Sequence, residues 1–276
     1  MILVDAHVHI YDCFDLEGFL DSAYSNFRSE AYRLGIGEQF TPVLLLTETS
    51  KEFWFNRLRQ YAESNGINKD KMLKKWEFHY TDENVSVTAR FEKSRDLFII
   101  AGRQIETAEG LEVLALFTNS SFRSGIPIID LIEAVKKQDA IPVIPWGFGK
   151  WLGRRGKILD SLMKIQKDLK FYLGDNSGRP SFLPFPHHFK IADRNGIHMF
   201  PGSDPLPFAT EYHRAGRFGF LLEETISNSY PAKDLKQILM KPKLVLHSYG
   251  DCENPFSFLR NQLKMQLKKQ YSKYRA

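Results

Sequence analysis

A chain of 276 residues, 43% of them hydrophobic, can bury one large core, and a length near 250 suits a single α/β barrel. Its 38 basic and 33 acidic residues leave a formal charge of +5, yet residues 257–276 alone hold Arg260, Lys264, Lys268, Lys269, Lys273 and Arg275 and no acid. Without these six the rest of the chain stands at −1, which makes nucleic acid an unlikely partner; Cys13 and Cys252 are too few for a disulfide framework, and no apolar run reaches the roughly 20 residues of a membrane span.

The first residues lack the layout of a secretion signal, so a cytoplasmic location is expected. The opening segment 2–10 reads as a strand. Alternate side chains of a strand share a face, which puts Asp5, His7 and His9 on one side and Val4, Ala6 and Val8 on the other. Two imidazoles on one face can grip a single divalent ion; the plainer reading is an edge strand with solvated histidines. Further strands are expected at 42–47, 97–102, 141–146, 169–174, 196–202 and 243–248. Helices are expected around 16–34, 51–65, 126–137, 155–167, 186–194 and 232–240. This alternation is the pattern of βα units around a parallel sheet or barrel.

Residues 76–92 break that rhythm with alternating small, polar and aromatic side chains and predict a β-hairpin insertion. Residues 105–116 then read as strand, turn, strand, with Glu106 where the backbone doubles back. At the far end, Phe258, Leu259, Leu263, Leu267 and Tyr271 recur at helical spacing. They predict a basic amphipathic helix over 257–276, separate from a barrel domain of 1–256, that docks on the body and turns its lysines to water. Binding to a membrane or an anionic partner is the other reading.

Three segments in order carry a resemblance to a known family. Val4-Asp5-Ala6-His7-Val8-His9 is similar to the opening His-x-His of the polymerase-and-histidinol-phosphatase (PHP) domain. Ala101-Gly102-Arg103-Gln104-Ile105-Glu106-Thr107 resembles its Gly-x-Glu-hydrophobic-Thr strand, and Pro201-Gly202-Ser203-Asp204 its Gly-Ser-Asp-x-His. The resemblance implies a distorted TIM-like (β/α)7 barrel and a metal-dependent phosphoesterase related to the amidohydrolases. By position, the implied metal ligands are His7, His9, Glu106 and Asp204. The family's Thr-Asp-His is replaced by Thr47-Glu48-Thr49, its His-Pro by Pro145-Trp146, and the His after Asp204 by Leu206 behind Pro205. What survives is a set for one ion rather than three. Zinc, manganese or iron would suit it and could lower the pKa of bound water. Asp12, Glu48, His187, His188 and His198 are the reserve ligands.

Two loops offer substrate contacts. Residues 146–156 hold Gly147, Gly149, Gly153 and Gly156 with Lys150, Arg154 and Arg155 ahead of a helix, a setting for a phosphate or carboxylate. Residues 174–180 place Asp175 and Arg179 beyond a strand, an acid for water or base work and a fork-shaped cation for two substrate oxygens. Both segments are also ordinary turn chemistry. The expectation is therefore a hydrolase of a small anionic substrate, with Asp175, Arg179 and Lys150 catalytic, Lys150, Arg154, Arg179 and His188 on the substrate, and the oligomeric state open. A catalytically inactive barrel that binds a ligand or partner is the alternative.

Overall fold

The computed structural model describes residues 1–64, 73–91 and 95–274. In chain order it contains β1 (Ile2–Val8), α1 (Leu16–Arg33), β2 (Thr41–Leu46), α2 (Trp54–Glu63), β3 (Trp76–Tyr80), β4 (Ser86–Phe91) and β5 (Arg95–Ile100). Then follow β6 (Gly102–Glu106), β7 (Glu112–Leu116), α3 (Ile128–Lys137), β8 (Ile141–Pro145), α4 (Arg154–Lys164), α5 (Gln166–Leu169), β9 (Tyr172–Asn176) and α6 (His187–Arg194). The chain ends with β10 (Met199–Gly202), a 3-10 turn at Ala209–Arg214, β11 (Gly219–Leu222), α7 (Pro231–Leu239), β12 (His247–Tyr249) and α8 (Pro255–Tyr274). Asn65, Glu92, Arg275 and Ala276, which the expected elements included, lie outside the described residues.

The helices follow from their sequences. In α1, Leu16, Phe19, Leu20, Ala23, Phe27 and Ala31 recur every three or four residues and are buried, and the Asp15 carboxylate accepts from Gly18 N–H at 3.0 Å to cap the first turn. The α/β class stands, but the expected TIM-like barrel is corrected. Among the described residues the strands form two mixed sheets rather than one closed parallel ring, in the orders β12-β11-β1-β2-β5-β4-β3 and β10-β9-β8-β7-β6. The 76–92 hairpin is no appendage: β4 pairs antiparallel with β5 and extends the first sheet. The pattern reading missed β11, four residues that pair antiparallel with β1.

The two sheets share a core in which Ile2, Val4, Val43 and Phe220 of one meet Leu114, Val143 and Phe200 of the other. They touch along two seams, and a glycine permits each. At the β1/β10 seam Asp204 N–H donates to His7 O at 2.8 Å, and a Cβ on Gly202 would lie 2.2 Å from His7 N. At the β2/β6 seam Gln104 N–H donates to Glu48 O at 2.9 Å, and a Cβ on Gly102 would lie 2.3 Å from Leu46 O. Contacts under 3 Å leave no room for a side chain. The two motif glycines are thus what brings the sheets together.

Strand β1 also departs from simple alternation. Its register against β2 shifts between Asp5 and Val8. Before the shift Val4 and Ala6 face the inter-sheet core and Leu3 faces α1; after it Val8 and Ile10 join Leu3 on the α1 side. An irregularity of this kind re-aims side chains. It separates Asp5 from His7 and His9, which were expected on one face. Asp5 is fully buried and accepts three backbone N–H bonds, from Ser203 at 2.7 Å, Gly216 at 2.8 Å and His7 at 3.3 Å. It ties β1 to the turns after β10 and before β11 and serves no ion.

Candidate metal centre

His7 and His9 leave the irregular end of β1, and Asp204 sits just past β10 across the seam. His7 Nε2 lies 3.3 Å from His9 Nε2 and 3.4 Å from Asp204 Oδ1, and His9 Nε2 lies 3.8 Å from the same oxygen. One ligand atom from each of the three falls within 4.8 Å of the others. Asp204 holds a left-handed backbone, φ 46°, a conformation Asp tolerates better than most residues and one that recurs at functional sites. Its N–H bond to His7 O fixes the turn, and Asn176 Nδ2 donates to Asp204 Oδ2 at 2.9 Å, so Oδ1 is the oxygen turned to the imidazoles.

The surrounding residues set the imidazoles' chemistry. Glu52 Oε2 lies 3.0 Å from His9 Nδ1 and is itself held by Thr49 N–H at 3.0 Å and Thr49 Oγ1 at 2.9 Å. A carboxylate at Nδ1 keeps the proton on that nitrogen and leaves Nε2 with a lone pair, the arrangement that orients a metal-binding histidine. Burial lowers the His7 pKa despite the pull of Asp204, so His7 favours its neutral form. His9 is as deeply buried, but hydrogen bonding and charge from Glu52, with Asp204 and Glu112, outweigh desolvation and raise its pKa. Tyr11 stacks on the His9 ring, centroids 5.5 Å apart.

The donor set fits a divalent transition ion. Two imidazole nitrogens and a carboxylate oxygen converge, and His7 Nε2 faces His9 Nε2, Asp204 Oδ1 and Gln104 Oε1, a cluster of acceptor atoms that a shared proton or a cation satisfies.

Glu106 does not join this cluster and is corrected. It is exposed at the β6–β7 hairpin, opposite Glu112. Two residues earlier on the same face, Gln104 Oε1 lies 3.0 Å from His7 Nε2. Counted from Gly102, the Gly-x-Glu motif puts its carboxylate position at Gln104, and reading the acid two residues later moved it about 6.6 Å along the strand.

The other expected site residues are engaged elsewhere. Arg179 Nε and Nη2 each reach a different oxygen of Asp175 at 2.9 Å, and Asn176 N–H also donates to that carboxylate, so the pair is closed on itself. Lys150 pairs with Glu112, whose charge also acts on both imidazoles. Arg154 is exposed at the start of α4, whereas Arg155 binds the Gly110 and Gly149 carbonyls and holds the loop together. His188 is buried beside Trp151, 3.3 Å from Gly156 O and 3.1 Å from Asp160. Of the reserve ligands, Glu48 pairs with Arg103 at 2.9 Å, Asp12 with Arg57 at 2.7 Å, His198 stacks on Tyr172, and His187 is exposed.

Sequence reasoning missed Glu52, Gln104 and Asn176. Thr49-Ser50-Lys51-Glu52 is a Thr-x-x-Glu capping pattern just before α2, and that signal was legible. Asn176 carried none beyond its place in a turn.

No family model matches the chain, and no curated protein matches its sequence. Similar solved structures exist. PsfC from Pseudomonas syringae PB-5123 is 14% identical over 98% of this chain and 98% of its own, with a TM-score of 0.53. The lesion-specific endonuclease PfuEndoQ from Pyrococcus furiosus is 12% identical over 86% of this chain and 55% of its own, TM-score 0.47. A two-domain protein from Bacteroides vulgatus ATCC 8482 containing a predicted PHP-like metal-dependent phosphoesterase is 17% identical over 91% of this chain and 64% of its own, TM-score 0.42. At these identities the likeness is one of fold. A structure of Endonuclease Q in complex with a 27-mer duplex substrate is 14% identical over 86% of this chain and 56% of its own, TM-score 0.48. Among the described residues no helix is long and apolar enough to cross a membrane.

Proposed function

We propose that the chain is a PHP-type metal-dependent hydrolase of a small anionic substrate, with one divalent ion held by His7 Nε2, His9 Nε2 and Asp204 Oδ1. The observation that carries this reading is the convergence of those three donor atoms from β1 and the turn after β10. A bound zinc, manganese or iron ion would supply Lewis acidity and a water of lowered pKa. The chain's own residues do the rest. Glu52 holds the proton on His9 Nδ1, Asn176 turns Asp204 Oδ1 inward, and Gln104 packs its amide against His7. Glu112, whose charge acts on both imidazoles, carries Lys150, and an anionic group that drew Lys150 away from Glu112 would gain a charge-assisted contact.

Protein loaded separately with Zn, Mn and Fe should hydrolyse a panel of phosphate esters, with short single- and double-stranded oligonucleotides as the competing substrate class. His9→Ala should lose both bound metal and turnover while keeping its melting temperature within a few degrees. A wild-type protein that binds none of the three metals contradicts the reading, and selective turnover of oligonucleotides replaces its substrate class.

A further inference from the structure

The terminal helix faces the opposite way from the one its sequence suggested. Phe258 is buried and packs edge-on against Phe148 at 4.9 Å and Phe182 at 6.0 Å, and Asn261 is buried with Nδ2 donating to Glu253. Lys264 and Lys268 lie over the Phe208 ring at 5.5 and 5.7 Å, and Lys268 also reaches Pro207 O. With that face on the body, Phe256, Leu259, Leu263 and Leu267, spaced three or four residues apart, form one outward stripe that is 75%, 59%, 61% and 54% exposed. A helix normally hides such a stripe.

From this stripe and the charges beside it, we infer that the outer face of α8 lies on an anionic lipid surface, independently of the metal reading. Residues 257–276 carry six basic side chains and no acid, and Arg260 and Lys264 are direct neighbours of the leucines on the helix. Leucines and a phenylalanine on one face, flanked by Arg260, Lys264 and the neutral Gln262 and Gln266 and by no acid of the helix, are the composition of an interfacial helix, its apolar side in the acyl boundary and its basic side chains at the headgroups. A second copy of α8 would bring cations against cations. Four side chains also fall short of the roughly 800 Å² per partner of a stable interface, and protein interfaces are depleted of lysine.

Full-length protein is sedimented with vesicles of pure phosphatidylcholine and with vesicles of three parts phosphatidylcholine to one of phosphatidylserine. Binding should favour the anionic vesicles and fall about tenfold or more in Leu259→Ser/Leu263→Ser/Leu267→Ser protein, whose altered positions all face outward. As a second readout that keeps the helix apolar, Leu263→Trp should shift its emission to the blue on the anionic vesicles alone. No binding to either vesicle overturns the inference. So does a concentration-dependent dimer that the triple substitution abolishes, or binding to an acidic protein while vesicles are ignored.

Discussion

Two aspartates close to the ends of neighbouring strands have opposite fates. Asp175 is the penultimate residue of β9 and Asp204 follows β10, and the two strands pair in register. Asp175 spends both oxygens on Arg179, whereas Asp204 gives one oxygen to Asn176 and turns the other to two imidazoles. A strand exit is therefore not in itself a site. What makes a donor atom available is that the chain's own groups leave it unsatisfied, and Asp204 achieves this through a left-handed turn and a neutral amide neighbour.

The sharpest way to break the comparison is to exchange the predicted outcomes. Asp175→Ala should destabilise the fold by about 3 kcal/mol, because Arg179 is left as an unpaired, largely buried cation, while metal content per folded molecule stays that of the wild type. Loss of metal without loss of stability, read by urea titration alongside elemental analysis, would move Asp175 into the centre. A smaller effect is expected from Glu52→Gln. It keeps a contact to His9 Nδ1 but removes the charge that orders the ring, so competition with a chelator should read a metal affinity about 10- to 100-fold lower.

A third expected effect is on pH dependence. Burial, outweighing their hydrogen bonds, pushes Asp5 and Glu48 up to about 7. A carboxyl raised in the folded state binds its proton more tightly there than in the unfolded chain. Its contribution to stability is complete below the ordinary pKa near 4 and is lost as pH rises through about 7. Metal-free protein should therefore unfold at lower urea at pH 8 than at pH 5, and Glu48→Gln should narrow that gap. A stability that instead rises with pH would mean both groups are held ionised.

Much of this was legible in the sequence, and its limits are physical. Most strands and helices were placed to within a few residues because apolar periodicity is a local property, whereas the four-residue β11 was too short to show one and the expected strand at 243–248 is reduced to β12 (His247–Tyr249). The histidine pair and the Gly-Ser-Asp segment were legible because their spacing is fixed by strand geometry and by the close approach of Gly202 to His7. Three things were not. The break in β1 depends on its pairing with β2, so the side to which Asp5 points could not be read from alternation. The closure of Asp175 by Arg179 depends on a turn conformation. The facing of α8 depends on which of its two faces the rest of the molecule can cover, and aromatic contacts at Phe258 decided that against the leucines.

Anomalous scattering from crystals grown with manganese or zinc tests the central claim most directly. The account predicts one strong peak at about 2.0–2.3 Å from His7 Nε2, His9 Nε2 and Asp204 Oδ1. No peak there, with the two imidazoles bonded to each other and to Gln104, would contradict it.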